Sequence, residues 1–482
     1  MRLFLAGWDG GFQEMVDVAL RLQQQSHTIV YWIRSSTIKV DASLFPEAVF
    51  HRHEDAMRCI SPQGLDDSGF DFPDQSLIQS LVEAESTLLV MMNKRYEPMG
   101  IDERKQFYYS LLRYWYGALK KTRPDMVIFP AVPHTPYVFV IYSIAKLLGI
   151  RTVMFDFTRV NDRLLIMNDF VIGSPALLEQ IKSMHHAHAK ADLLSQDILD
   201  YYMKEVKRPD TVPSDVVAIV KRYSGREWLW LKLKALYWSI RSFTLFQRAV
   251  HLLFEKFWHN LKTEYQSVVS VPDFNKKYIY FPLHYQPECS TSPLGGVFVN
   301  QMLMIKTLSA CLPKDWLLYV KEHPTQWLAR GLGYLSHRYK GYYLEMAKLK
   351  NVRVMPIETN SYRLIYGAEA VATATGTAGW EAILRSKPAL VFGYAWYRDC
   401  HGVFRIDGPT TCKMAIRKIV DGFVVDQQSV IDYLSAFDKA SIRGYMEEYC
   451  KGLSTLSERE NATNLLEAIL SEIQKGAIPL TT

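Results

Sequence analysis

Leu3-Phe4-Leu5-Ala6-Gly7-Trp8-Asp9-Gly10-Gly11 opens the chain as an apolar run that stops at a glycine-rich turn. A helical pattern runs from Phe12 to about Gln25, and a second apolar run, Thr28-Ile29-Val30-Tyr31-Trp32-Ile33, follows it. Strand, turn, helix, strand is a βαβ unit, which makes the two strands parallel. The rhythm continues with a buried strand ending at Phe129, a helix over 138–148 ending at Gly149, and the strand Arg151-Thr152-Val153-Met154-Phe155. It lapses over residues 181–275, which read as helical, and restarts at Tyr278-Ile279-Tyr280-Phe281. Further strands are expected at 316–321, 352–355, 370–372 and 389–392, with helices between them and terminal helices over 412–475.

The expected class is therefore α/β, with two Rossmann-like doubly wound domains. Their boundaries are expected at 1–180 and 276–412, with a helical middle segment 181–275 and terminal helices 413–482. At 482 residues the chain is about three times the length of one average domain, which suits this division. Apolar residues make up 49%, enough for two cores, and 22% charged residues exclude a disordered class. The six cysteines are scattered without a CxxC pair and read as reduced thiols in a cytoplasmic protein. Neither a signal-peptide core at the start nor a stretch long enough to span a membrane is expected. Between Lys221 and Lys262 nine Lys/Arg face only Glu227 and Glu255, interleaved with Trp228, Trp230, Trp238 and Trp258. That composition suits a helix lying on an anionic membrane surface, or an interdomain layer with snorkelling basic side chains. No nucleic-acid motif accompanies it. Met184-His185-His186-Ala187-His188 lacks the spacing of a metal site, because adjacent histidines on one helix diverge.

In doubly wound sheets ligands bind beyond the carboxyl ends of the strands, so the loops there hold the candidates. Leu317-Leu318-Tyr319-Val320 delivers Lys321, Glu322, His323 and Pro324 to such an edge. A histidine there can donate to a phosphate oxygen or protonate a leaving group. In Ala370-Val371-Ala372-Thr373-Ala374-Thr375-Gly376-Thr377-Ala378-Gly379 a strand ends in a hydroxyl-rich turn and a helix begins. The hydroxyls of Thr375 and Thr377, the open backbone at Gly376 and the free N–H groups of the helix start make an anion site, most naturally for phosphate. Glu381, one turn on, is placed to accept from ribose hydroxyls. The loop after the strand at 278–281 is long and polar, with Gln286 and Glu288 as candidate contacts. In the N-terminal half, Asp156-Phe157-Thr158-Arg159-Val160-Asn161-Asp162-Arg163 sets two carboxylates and two arginines after a strand. The arginines suit a carboxylate-bearing sugar, and an aspartate there can act as nucleophile or base.

Taken in order, FPLHYQPE…SPLGG (281–296), KEHP (321–324), TGTAGWEA (375–382) and KPALVFG (387–393) resemble the bacterial capsule and surface-polysaccharide biosynthesis transferases. The set looks like the branch of retaining β-Kdo glycosyltransferases that use CMP-Kdo, and it covers roughly residues 278–406. The resemblance implies a GT-B fold, two Rossmann-like domains facing across a cleft, with the CMP-sugar donor held by the second. It implies that His323 and Pro324 contact the CMP phosphate, that Thr375 and Thr377 form the phosphate motif, and that Glu381 holds the cytidine ribose. It implies retention through an N-terminal aspartate, Asp156 or Asp162, with Arg159 or Arg163 near the sugar carboxylate. Neither metal nor cofactor is expected. The expected partners are a glycan or glycolipid acceptor, the anionic inner leaflet, and other polysaccharide-assembly proteins. A sialyl or UDP-sugar enzyme on the same fold and a non-catalytic assembly factor are the competing readings.

Overall fold

The computed structural model describes residues 1–8, 13–35, 39–94, 96, 99–183, 189–207, 228–230, 233, 237, 260–286, 289–327, 338–446, 448–452 and 454–475. The expectations for the basic-aromatic segment 221–262, for Met184–His188 and for Glu288 lie almost wholly outside these residues.

The chain divides into two compact units. In the first, Met1–Tyr201 and Gln428–Thr482 share a seven-stranded sheet of order β13-β6-β5-β4-β1-β2-β3. Strands β1 (Arg2–Ala6), β2 (Thr28–Arg34), β3 (Val49–Arg52), β4 (Met126–Phe129) and β5 (Arg151–Phe157) run parallel. Strands β6 (Arg163–Met167) and β13 (Ile442–Arg443) join antiparallel at the far edge. Alternation along β1 sends Leu3 and Leu5 to one face and Phe4 to the other. Leu3 and Leu5 meet the apolar stripe of α1 (Glu14–Gln24), formed by Met15, Val18, Ala19 and Leu22. Phe4 stacks on Tyr31 at 4.5 Å and meets Trp115 of α2 (Ile101–Thr122) edge-on. On that second face the helix α3 (Pro136–Leu147) also packs, starting with proline at its first position, where no N–H is missed.

The second unit, Tyr202–Thr291 with Gly295–Gln427, has a six-stranded, all-parallel sheet of order β12-β11-β10-β7-β8-β9. Its strands are β7 (Tyr278–Pro282), β8 (Leu317–Lys321), β9 (Val352–Met355), β10 (Ala370–Thr373), β11 (Ala389–Val391) and β12 (Val403–Arg405). The inner strands β7, β8, β10 and β11 are buried almost throughout because helices cover both faces, whereas the edge strands β9 and β12 expose Arg353 and Arg405. Among these helices are α4 (Gln301–Cys311), α5 (Thr377–Leu384) and α6 (Pro409–Val420).

In both sheets the first strand lies in the middle, the second and third extend to one side, and the fourth begins the other. This is the 3-2-1-4-5-6 order of Rossmann-like units, and it opens a crevice where the order reverses. That crevice lies between β1 and β4 in the first unit and between β7 and β10 in the second. The expected two-domain α/β architecture, with a Rossmann-like unit in each domain, is thus present.

The terminal helices divide between the two units. Helix α6 packs Cys412, Ala415, Ile416 and Ile419 into the core of the second. Helices α7 (Gln427–Ala440) and α8 (Glu458–Lys475) belong almost entirely to the first. There α8 buries Leu465, Leu466, Ile469 and Ile473 with α1, each contributing about 1.5–3 kcal/mol on full burial.

Candidate functional site at the C-terminal switch point

The crevice of the second unit is built around His284. The residue leaves β7 and is buried, and its Nε2 lies 2.9 Å from Thr373 Oγ1 at the end of β10. The backbone N–H of Ala374 donates to the same nitrogen at 3.1 Å. Nε2 is therefore an acceptor, and the ring proton of the neutral imidazole sits on Nδ1. Burial, with the nearby His323 and Arg338, pushes the His284 pKa down to about 3, so the ring stays neutral. Thr373 Oγ1 also accepts from the N–H of Gly376 at 3.0 Å, which closes the turn into α5. A Cβ on Gly376 would lie 2.8 Å from His284 Cε1 and 2.9 Å from Thr373 Oγ1, so glycine is required by this close approach.

Gly376 is the N-cap of α5 and supplies no side-chain cap, which leaves the first N–H groups of the helix without an intrahelical acceptor. Thr377, at the first helical position, is half-buried, and no hydrogen bond of its hydroxyl is found among the described residues. Helix start and hydroxyl together suit an anion. Thr375 is less available than expected, because its hydroxyl donates to the Ser290 carbonyl at 2.7 Å and can only accept from a ligand. Tyr397, from the loop after β11, donates to the Gly376 carbonyl and fixes the turn from the other side. Its ring and that of Trp396 pack on Trp380. The Glu381 carboxylate is half-buried among these aromatics; burial, then its charge, raises the Tyr397 pKa, and the same holds for Tyr280.

One strand away from β7, on its other side, β8 ends at Lys321-Glu322-His323-Pro324. Glu322 is fully buried and ion-paired with Arg338, Nη2 to Oε1 at 3.1 Å and Nε to Oε2 at 3.2 Å. It also accepts from the Tyr343 hydroxyl and, at 2.7 Å, from the backbone N–H of His323. The Arg338 fork reaches further, donating to Gln286 Oε1 at 2.6 Å and to the His284 carbonyl at 2.7 Å. His323 accepts at Nδ1 from the Thr325 N–H at 3.2 Å, and its Nδ1 lies 2.8 Å from Thr325 Oγ1. The proton of the neutral ring is therefore on Nε2, which becomes a donor. His323 is half-buried and Pro324 exposed, whereas Glu322, Arg338 and His284 lie beneath the surface. A continuous chain of bonds runs from His323 through Glu322, Arg338, His284 and Thr373 to Gly376. It joins both sides of the crevice into one preorganised layer.

Two expected contacts are committed elsewhere. Lys321 Nζ donates to the Thr359 carbonyl at 2.8 Å, and burial pushes its pKa down to about 8 with Glu358 partly opposing. Gln286 turns inward, holding Arg338 through its oxygen and approaching Thr291 Oγ1 and the Val299 carbonyl through its nitrogen. Both support the loops that form the rim.

In the first unit the residues expected together are separated by a hairpin. Asp156 lies near the carboxyl end of β5, paired with Leu165 of β6, and Arg163 begins β6. The turn between them places Arg159 and Asn161 at positive φ. Asp162, offered with Asp156 as nucleophile, is buried and ion-paired with Arg443 at 2.8 Å, with Ser454 donating at 2.6 Å. Burial opposes its ionisation, but these bonds hold it below the usual carboxylate range. Arg163, offered to a sugar carboxylate, is buried and forked onto Asp197 at 2.7 and 2.8 Å, with Asp438 at 3.1 Å. Asp162 and Arg163 thus fasten β6 to the C-terminal segment, and neither carboxylate nor guanidinium is left to meet a substrate. Asp156 is different. It is half-buried, no hydrogen bond to its carboxylate is found among the described residues, and burial pushes its pKa to about 6 with Arg159 partly opposing. Arg159 itself is exposed, its guanidinium 5.8 Å from the Phe157 ring.

Residues 290–417 match the family model of the capsule polysaccharide biosynthesis proteins. That span contains the His323 loop, the Gly376 turn and the aromatic loop at Trp396 and Tyr397. Among solved structures, the chain is similar to KpsC of Thermosulfurimonas dismutans, a β-Kdo 2,7 transferase. Identity there is 12% over 78% of this chain and 94% of that one, with a TM-score of 0.34. It is also similar to a UDP-GlcNAc 2-epimerase from Neisseria meningitidis (11% identity, 98% and 100% coverage, TM-score 0.27). An α,α-trehalose-phosphate synthase from Burkholderia vietnamiensis matches at 8% identity over 98% and 100%, TM-score 0.31. No curated protein matches the sequence. Among the described residues no helix is long and apolar enough to cross a membrane.

Sequence reasoning missed His284 and Arg338. His284 stood in a loop already singled out, but its significance depends on β7 and β10 being neighbours.

Proposed function

We propose that the protein is a glycosyltransferase of capsule or surface-polysaccharide assembly that takes Kdo from CMP-Kdo. The observation that carries the reading is the switch-point layer of the second unit. A protonated Nε2 of His323 and the open N–H groups of α5 are held by one buried hydrogen-bonded network, within a segment matching the capsule family. In this reading the donor phosphate lies between His323 and the α5 N-terminus, and Thr377 donates its hydroxyl. Glu381 accepts from the ribose. As the bond from the anomeric carbon to the phosphate oxygen breaks, these donors meet the charge that develops on CMP. Asp156 serves as the carboxylate nucleophile for a retaining double displacement, and the first unit carries the acceptor. Arg159 is the remaining candidate for the sugar carboxylate. The acceptor is a glycan or glycolipid at the inner leaflet, reached by peripheral association through the basic segment.

The test is release of CMP from CMP-Kdo by the purified protein, compared with the His323→Ala variant. The variant is expected to lose about 10²-fold or more in turnover, as for removal of a single donor to developing charge. Equal rates would remove His323 from the site. Release from CMP-sialic acid but not from CMP-Kdo would change the sugar and keep the nucleotide.

A further inference from the structure

Helices α4 and α6 pack against each other within the second unit. They share one core, to which Ile305 and Leu308 come from α4 and Ala415, Ile416 and Ile419 from α6. Each helix also brings a cysteine to the contact. Cys311 closes α4 and is half-buried, whereas Cys412, in the first turn of α6, is fully buried. Both are free thiols. The Cys311 thiol donates to the Pro409 carbonyl at 3.6 Å. That bond lays its sulfur on the first turn of α6, where Cys412 stands three positions after Pro409 and so on the same side of the helix. The Cys412 thiol hydrogen-bonds with Cys311, and burial first, then this neighbour, pushes its pKa well up. The other end of α4 reaches the crevice. Its first residue, Gln301, is buried, accepts from the His284 N–H at 2.7 Å and donates to the His284 carbonyl at 3.2 Å. The paired thiols therefore lie at the far end of the helix that anchors the His284 loop.

We propose that Cys311 and Cys412 are a redox modification site, oxidised by peroxide to a reversible disulfide that staples α4 to α6. Burial keeps Cys412 protonated and away from solvent, so the first oxidation falls on the half-buried Cys311. Cys311 gives up its proton, and its sulfur attacks one peroxide oxygen. The O–O bond breaks, and the departing hydroxide takes up that proton and leaves as water. Cys311 is now a sulfenic acid, held beside Cys412. The Cys412 sulfur then attacks the Cys311 sulfur, the S–O bond breaks, and the hydroxide leaves with the Cys412 proton as a second water. The two thiols lose two electrons between them and the peroxide gains both. The bond closes a loop of about 100 residues, a length at which a cross-link strongly restricts the unfolded chain. Nothing in the step depends on the nucleotide or sugar that the second unit takes.

The experiment treats the reduced full chain with a small excess of hydrogen peroxide, alkylates the thiols that remain, and maps the peptides by mass spectrometry. A peptide pair joined through Cys311 and Cys412 within one chain is expected, released again by dithiothreitol. The oxidised protein is expected to melt about 5–10 °C above the reduced one, and to return on reduction. Cys311→Ser, at a half-buried position, is expected to remove both effects and to leave Cys412 unoxidised. Cys412→Ala is expected to remove them while leaving a sulfenic acid on Cys311 that dimedone traps. Oxidation of Cys311 with Cys412 still alkylated, a cross-link between chains, or no loss of either thiol overturns the pairing. A cross-linked protein that melts no higher than the reduced one overturns the staple.

Discussion

Arg338→Met is expected to destabilise the second unit by about 3–5 kcal/mol, a fall in its melting temperature on the order of 10 °C. The expectation follows from what the guanidinium holds. It pairs with Glu322, a carboxylate with no exposed surface, and it donates to Gln286 and to the His284 carbonyl. Methionine has similar bulk but leaves the Glu322 carboxylate buried without its cation, with the Tyr343 hydroxyl and the His323 N–H as its remaining donors among the described residues. Most of the loss comes from that stranded charge, because the attraction within a buried pair is largely offset by the cost of taking both ions out of water. Adding Glu322→Gln to Arg338→Met should therefore recover a substantial part of the stability. Neither variant should recover donor binding, since the loops after β7 and β8 lose their common anchor. Thermal unfolding of the single and double variants checks the first expectation, and CMP titration checks the second. A single variant as stable as the wild type would show that the network is not the support described.

Asp156→Asn is expected to abolish donor turnover by about 10³-fold or more, as loss of a covalent nucleophile does, while leaving CMP binding intact. The same group sets a pH limit. Burial lifts its pKa from 3.8 to about 6, so the ionised form, the one that attacks in the proposed reaction, predominates only above that value. Turnover is expected to rise with pH through about 6 and to fall away below it. The stability effect has the opposite sense. A carboxyl whose pKa is raised on folding binds a proton more tightly in the folded chain, so stability is lost as pH rises from about 4 to about 6. Above that window Asp156→Asn should unfold no earlier than the wild type. A rate profile flat from pH 5 to 7, or a variant that turns over at the wild-type rate, would remove Asp156 from the mechanism.

The parallel strands were legible because a strand covered on both faces is an uninterrupted apolar run; Tyr278–Phe281 and Leu317–Val320 stand out for that reason. The antiparallel edge was not. β6 begins at a buried arginine, and β13 is only two residues long, so neither shows the alternation or length that marks a strand. The terminal helices were legible as helices, but nothing in their sequence says which sheet they cover, and α8 returns to the first unit. The Gly376 turn and the His323 loop were visible from their own residues, since strand end, hydroxyls and helix start are local. What joins them was not. Arg338 reaches Gln286 and His284 across more than fifty positions, and only the placement of β7 between β8 and β10 brings these residues together. Asp162 and Arg163 misled for the converse reason. They are close to Asp156 in sequence, but a hairpin turn carries them into ion pairs with the C-terminal segment.

The central claim, that the second unit holds a cytidine nucleotide, is tested most directly by thermal unfolding of the protein with CMP, UDP, GDP or ADP. A nucleotide present at about 100 times its Kd adds about 2.7 kcal/mol of stability. CMP is expected to give that shift and the other three little or none. A shift with UDP, GDP or ADP and none with CMP would contradict the claim.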